Sequence, residues 1–246
     1  MTCAAMGCIA VVVPPAFLRD VDLVALILSI VLLIVSLSFH ELSHAWVAWK
    51  CGDPTGKNLG RITLNPLAHI DPFMTVLLPG VLLMVTGGGF LFGGAKPVPV
   101  DYHRLRHPMR DMTLVAAAGP FSNLLLAVVF LAGYKFFVDT GLYREASEYA
   151  SARRNDLLPS VLFTVFRANV LLAVFNMLPI PPLDGSRIMT WVLPSSLRES
   201  YLGFERFGMI AIFALILYHP FNVFLDRTVS QVSVWIAHFV SLGGAW

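Results

Sequence analysis

The pentapeptide His40-Glu41-Leu42-Ser43-His44 sets two imidazoles four residues apart, with a carboxylate beside the first. On a helix, residues i and i+4 share a face, so both rings can reach one metal ion. The glutamate can sit beside a metal-bound water and take its proton, which is the arrangement of a metal-assisted hydrolase. So short a pattern arises by chance in roughly one percent of chains of this length, and its surroundings argue against chance. Leu23 to Phe39 carries no charge, and the helical pattern continues to Trp49. Glu and two His inside an apolar helix are costly unless they are paired or bound to something. Ten steps separate His40 from Lys50, which at ~1.5 Å each puts the motif ~15 Å inside the charged end, too deep for a polar patch at a membrane surface.

Two histidines leave a metal short of a ligand, because catalytic zinc usually has three protein ligands and one open position. The sequence offers Asp184, Asp71, His69, His103 and His107. Asp184 follows an apolar run, Phe175-Asn176-Met177-Leu178-Pro179-Ile180-Pro181-Pro182-Leu183-Asp184-Gly185. Its three prolines must break a helix and hold the chain extended. Irregular backbone at membrane depth is tolerated where it lines a cavity. A carboxylate there, with Asn176 eight residues upstream, reads as part of a site; the plain alternative is a proline-terminated helix with an interfacial Asp.

The elements that must carry these residues are membrane elements. The 246 residues are 57% apolar and only 13% charged, with a mean hydropathy of +0.75. That excludes a disordered chain, a nucleic-acid-binding module and an ordinary water-soluble globule. A net charge of +2 points to no polyanionic partner, and Cys3, Cys8 and Cys51 are too scattered for a disulfide framework or a cysteine zinc cluster. Runs long enough to cross ~30 Å of hydrocarbon are Leu23–Phe39, Pro72–Ala95, Met112–Tyr134, Leu157–Leu183, Phe207–Leu225 and Val229–Trp246. The first seventeen residues are apolar but broken by Pro14-Pro15 and lack a basic flank; a short strand or surface-lying segment is expected there rather than a cleaved signal peptide. The polar stretches Lys96–Asp111 and Tyr143–Asp156 are too short to be domains.

At this point the chain resembles a known family. His40-Glu41-Leu42-Ser43-His44, with Asn176-Met177-Leu178-Pro179 and Pro182-Leu183-Asp184-Gly185 far downstream, is similar to the site-2 protease family of intramembrane zinc metalloproteases, in its compact branch without PDZ or CBS domains. Leu64–Pro72, Gly94–Val100 and Ala118–Asn123 carry the same resemblance, which runs from about Leu23 to Arg187. It implies one Zn²⁺ ion held by His40, His44 and Asp184, with Glu41 as general base and Asn176 near the scissile carbonyl as an oxyanion donor. The implied protein is a single membrane-embedded domain over residues 1–246: an N-terminal segment at 1–20, a catalytic core at 23–187 and C-terminal helices at 203–246. Its partners would be transmembrane protein or peptide substrates and the lipid bilayer, with no nucleic acid.

The implied ligand set constrains topology. His40 lies towards the C-terminal end of its helix, and Asp184 is expected at the C-terminal end of the helix that starts near Leu157. For both to reach one ion these helices must run parallel, so one of the two apolar runs between them cannot cross. Pro72–Ala95, interrupted by Pro79-Gly80, Gly87-Gly88-Gly89 and Gly93-Gly94, suits a re-entrant hairpin. Charge agrees. With that segment re-entrant, Lys50, Lys57, Arg61, Lys96, Arg104, Arg106, Arg110, Arg187, Arg198 and Arg206 share one face, ten against the five of Arg19, Lys135, Arg144, Arg153 and Arg154. With it crossing, the same residues divide seven against eight. The first division obeys the positive-inside rule. The expected fold class is therefore an all-α polytopic membrane protein of five to six transmembrane helices, with a re-entrant hairpin at 72–95 and short strand-like segments. Its expected home is the plasma membrane, with the site nearer the cytoplasmic face.

Lesser features have plain readings. His69, Asp71 and Asn65 either support the site or fix a turn beside Pro66 and Pro72. Gly119-Pro120 and Asn123 kink a helix and let neighbours pack closely, or line the site. Arg104, Arg106, His107 and Arg110 form a solvated anchor near anionic headgroups; His219 and His238 are packing or interfacial residues. The 72–95 hairpin and the Pro179–Pro182 segment could clamp an extended substrate by edge pairing. Two other uses of the same ligands are a transit site in a metal transporter and a silent zinc-stabilised scaffold. Single cysteines at positions 58 and 103 should react alike with a membrane-impermeant thiol reagent; labelling from opposite faces would overturn the topology.

Overall fold

The structure, a computed structural model, describes residues 2–5, 8–11, 23–77, 81, 91–140 and 157–242. Helix α1 (Leu23–Lys50) is the helix expected from Leu23 to Trp49. Its serines are tolerated among apolar neighbours because the hydroxyls donate back to their own helix, Ser36 to Leu32 O at 2.9 Å and Ser38 to Ile34 O at 2.8 Å. It ends at Gly52, whose φ of 112° only glycine adopts cheaply. There the Gly52 and Asp53 amides donate to Trp49 O and Ala48 O and close the last turn.

After a short helix α2 (Thr55–Asn58) the chain makes irregular turns, among them a wide helical turn at Pro72–Leu77, and then strands β3 (Leu91–Gly94) and β4 (Val98–Asp101). Near the N-terminus, β1 (Thr2–Ala5) pairs antiparallel with β4, and β2 (Cys8–Val11) with β3. These are the short strand segments expected. The tip of the expected hairpin, 78–80 and 82–90, and the stretch 141–156 lie outside the described residues. The described residues on either side of that tip are nevertheless placed. Arg106 N–H donates to Cys51 O at 3.0 Å, and Val98 and Val100 pack with Ala45, Ala48 and Val115. The chain between residues 51 and 106 therefore leaves and returns at the same end of α1.

Helix α3 (Pro108–Asp139) starts with Pro108 at its first position and Asp111 Oδ2 accepting the His107 amide at 2.8 Å. It runs antiparallel to α1. Helix α4 (Leu157–Asn176) stops short of the three prolines. It runs parallel to α1, as the ligand argument requires: Asn169 Nδ2 donates to Ser36 Oγ at 2.9 Å, and Leu172 packs with Leu37 and Ala95. Helices α5 (Asp184–Val192), α6 (Ser195–Gly203), α7 (Glu205–Leu217) and α8 (His219–Leu242) follow. An apolar core that includes Ala127, Phe166, Phe175, Leu183, Ile212 and Leu225 joins α3, α4, α7 and α8.

Among the described residues, three helices are long and apolar enough to cross a membrane: Ile27–Lys50, Pro108–Asp139 and Leu157–Asn176. The pair α6 and α7 passes only jointly, with a 68° bend. The C-terminal runs expected as Phe207–Leu225 and Val229–Trp246 divide elsewhere. The break falls at Tyr218, because Pro220 suits a first helical turn and not an interior. Asp226, which falls between those two runs, stays inside α8 and meets Arg167 at 3.4 Å. The proline segment is wedged by Gly208 of α7, where a Cβ would overlap the Pro181 carbonyl. Gly208→Ala should lower stability by about 1–3 kcal/mol, the range for overpacking, read as a lower midpoint in thermal unfolding of the detergent-solubilised protein.

Candidate metal centre

One turn of α1 brings His40 Nε2 and His44 Nε2 to 3.1 Å. Asp184 Oδ2 lies 3.2 Å from the first and 3.4 Å from the second, and all three side chains are fully buried. The three atoms form a nearly equilateral triangle. Ligands of a tetrahedral zinc at about 2.0–2.1 Å stand about 3.3–3.4 Å from one another, so the triangle has the dimensions of three zinc ligands and leaves the fourth direction open. Two further observations fit a metal. His44 Nδ1 faces Val115 O at 2.7 Å; a carbonyl only accepts, so the proton sits on Nδ1 and the Nε2 lone pair points at the triangle. Neither oxygen of Asp184 receives a hydrogen bond, a costly state for a buried carboxylate without a cation. Among the described residues these are the ones grouped for metal binding, and two imidazoles with a carboxylate are a zinc donor set.

Asp184 reaches the centre differently from the expectation. The helix from Leu157 ends at Asn176, and Asp184 is the first residue of α5. Prolines at 179, 181 and 182 cannot continue a helix, so a tight loop turns the chain back to the triad. Ile180 and Leu183 amides donate to Leu178 O and Ile180 O, each at 2.8 Å, and Tyr201 Oη donates to Pro179 O at 2.8 Å. Gly185 lies so close to the Met177 and Leu178 carbonyls that a Cβ would overlap them. With three prolines and the Ile180 amide engaged, the Pro179–Pro182 segment has no N–H to offer a substrate strand. A substrate strand pairing there would meet carbonyl acceptors alone.

Glu41 is fully buried, and its Oε2 accepts the Val98 amide of β4 at 3.1 Å. It points about 100° around α1 from His40, so metal face and base face are neighbours. Asn176 closes α4, buried, with Nδ2 donating to Leu172 O at 2.9 Å and Oδ1 unpartnered. The other potential ligands stay away from the triad. His69 Nε2 donates to Thr63 O at 2.9 Å, and burial pushes its imidazole below the usual histidine range. Asp71 accepts the Phe73 amide at 2.9 Å, and Asn65 the Leu67 amide at 3.1 Å, so both fix turns. His103, His107, His219 and His238 are exposed.

Two residues matter more than their sequence context conveyed. A Cβ on Gly119 would overlap His44 Nε2 and stand 2.6 Å from His40 Cε1: α3 lies directly on both rings, the second of the two readings open for that glycine. Asp53, fully buried, accepts from Thr55 N, Thr55 Oγ1 and Asp101 N, and so ties α2 to the end of β4. Its Asp-Pro-Thr context was the available signal, since Asp readily caps a following turn.

Residues 28–219 match Peptidase family M50. Relatives carrying the name "Putative zinc metalloprotease" include YwhC of Bacillus subtilis, 38% identical over 76% of this chain and 78% of that protein. Rip2 of Mycolicibacterium smegmatis is 31% identical over 86% of this chain and 76% of its own length, and MJ0611 of Methanocaldococcus jannaschii is 29% identical over 69% and 73%. No solved structure matches the chain. Gly119→Ala should force the two imidazoles apart and weaken metal binding by about tenfold or more, the scale on which groups supporting ligands act, measured as zinc retained per chain after dialysis against a chelator.

Proposed function

The chain belongs to Peptidase family M50, and on that premise we propose that it is a zinc-dependent intramembrane endopeptidase, hydrolysing peptide bonds in or near transmembrane segments of membrane-protein substrates. The observation that carries this reading is the convergence of His40, His44 and Asp184 inside apolar, membrane-length helices, with Glu41 one residue from the first ligand. His40, His44 and Asp184 would hold the ion. Zinc supplies Lewis acidity toward a carbonyl and a water when bound there.

The chain's own groups do the rest. Glu41, aimed by the Val98 amide, takes a proton from the attacking water and returns it to the departing amine. Asn176 has one Nδ2 hydrogen committed to Leu172 O; the second donates to the oxygen that gains charge as the carbonyl is attacked. The apolar surround excludes bulk water and strengthens both interactions. A substrate helix must unwind locally to present its carbonyl, since a helical amide is already engaged.

In this reading residues 1–246 form one domain with its catalytic core at 23–187. The α6–α7 pair and α8 add crossings to the three long spans, giving five. Exposed Phe224, Val234, Trp235 and Phe239 on α8 suit a lipid-facing helix. The basic end of α1 faces the cytoplasm of a plasma membrane. Metal transport would use the same triad but gives Glu41 no task.

The test is metal analysis of the purified protein beside cleavage of a membrane-embedded helical substrate. Glu41→Gln should keep about one zinc per chain and cut at least ~10²-fold more slowly, the usual contribution of a general base. A Glu41→Gln protein that cleaves like wild type, or one that moves zinc across liposomes as wild type does, overturns the proposal.

A further inference from the structure

Buried polar groups in native proteins find partners, and a set of them beside the triad has none. His40 Nδ1, both amide atoms of Asn123 and Oδ1 of Asn169 are buried without a hydrogen bond. Helix geometry brings them together. The antiparallel run of α1 and α3 sets His44 against Val115 and both imidazoles against Gly119. One turn beyond Gly119, on the same stripe of α3, comes Asn123. One turn back from His40 on α1 comes Ser36, whose hydroxyl accepts the Asn169 amide from α4. These registers set the residues that carry the orphaned atoms on three neighbouring helices, on the side of the triad away from Lys50.

The two imidazoles differ in one respect. His44 has its outer nitrogen anchored on Val115 O, whereas that of His40 meets no protein acceptor. Metal-ligating histidines almost always donate the outer N–H to a carbonyl, carboxylate or water, which sets tautomer and ring orientation. We propose that Asn123 is the positioning residue of His40, its side-chain oxygen taking the His40 Nδ1–H through one buried water held between α1, α3 and α4. Such a water accepts from His40 Nδ1 and donates to Asn123 Oδ1 and Asn169 Oδ1, the roughly three bonds that buried waters typically make. The task is to hold the His40 Nε2 lone pair on the triangle. This rests on the metal reading above, and the experiment separates the two.

Zinc affinity of the full chain in detergent would be measured by chelator competition, and the Co²⁺-loaded protein by visible absorption. Asn123→Leu should weaken zinc binding about 10–100-fold and shift the Co²⁺ bands. Asn123→Asp, which keeps an acceptor and makes it anionic, should bind zinc within a few-fold of wild type and also shift the bands. A folded Asn123→Leu protein with wild-type affinity and spectrum overturns the proposal. If that variant does not fold, Asn123→Asp decides alone: bands identical with wild type overturn it. Wild type that takes up neither metal overturns the metal reading itself.

Discussion

Three ionisable side chains inside an apolar bundle must be compensated where they lie, since water is not at hand to do it. That requirement organises this molecule. One helical turn supplies two ligands and no more, because the next position on the same face is another turn away and too distant for one ion. The third must come from elsewhere in the chain, on a helix whose end arrives at the same depth. Asp184 does this only because α4 runs parallel to α1, and α4 is parallel only because residues 51–106 return to the end of α1 where they left. The Arg106–Cys51 hydrogen bond closes that circuit. Topology here follows from coordination.

Precision at the centre comes from backbone approached closely. Gly119, Gly185 and Gly208 each sit where a methyl would strike a ring or a carbonyl. The three prolines before Asp184 each fix φ and so narrow the conformations open to the loop, and Tyr201 secures a carbonyl among them. A carboxylate delivered by a flexible loop would lose entropy each time it met the ion; one delivered by this wedge has lost it on folding.

Much of the site was legible because its signals are local or chemically specific. The i, i+4 imidazoles and a carboxylate in an uncharged run announce a metal face, the proline-broken run marks Asp184 and Asn176 as part of a site, and the resemblance gave them their expected roles. The parallel pairing of α1 and α4 was legible too, as a consequence of ligand geometry. What could not be read depends on contacts that leave no local mark. The break at Tyr218 competes with the charges at Asp226 and Arg227, and hydropathy weights the charges. The placement of Asp184 at the start of α5 depends on how three prolines fold back. The contact of Gly119 with both rings is a property of two helices, and a glycine beside a proline reads equally well as a kink.

Of the elements that pack on helix α1, two bear directly on the motif. On the ligand side α3 presses against both imidazoles so closely at Gly119 that not even a methyl fits between. About 100° away, Glu41 is met by a backbone amide of β4, a strand that follows Pro97, contains Pro99 and so is short of N–H groups. At the level of Gly119 no reactant fits between α1 and α3. Because the Val98 amide of β4 holds the Glu41 carboxylate, a shift of that strand bears directly on Glu41.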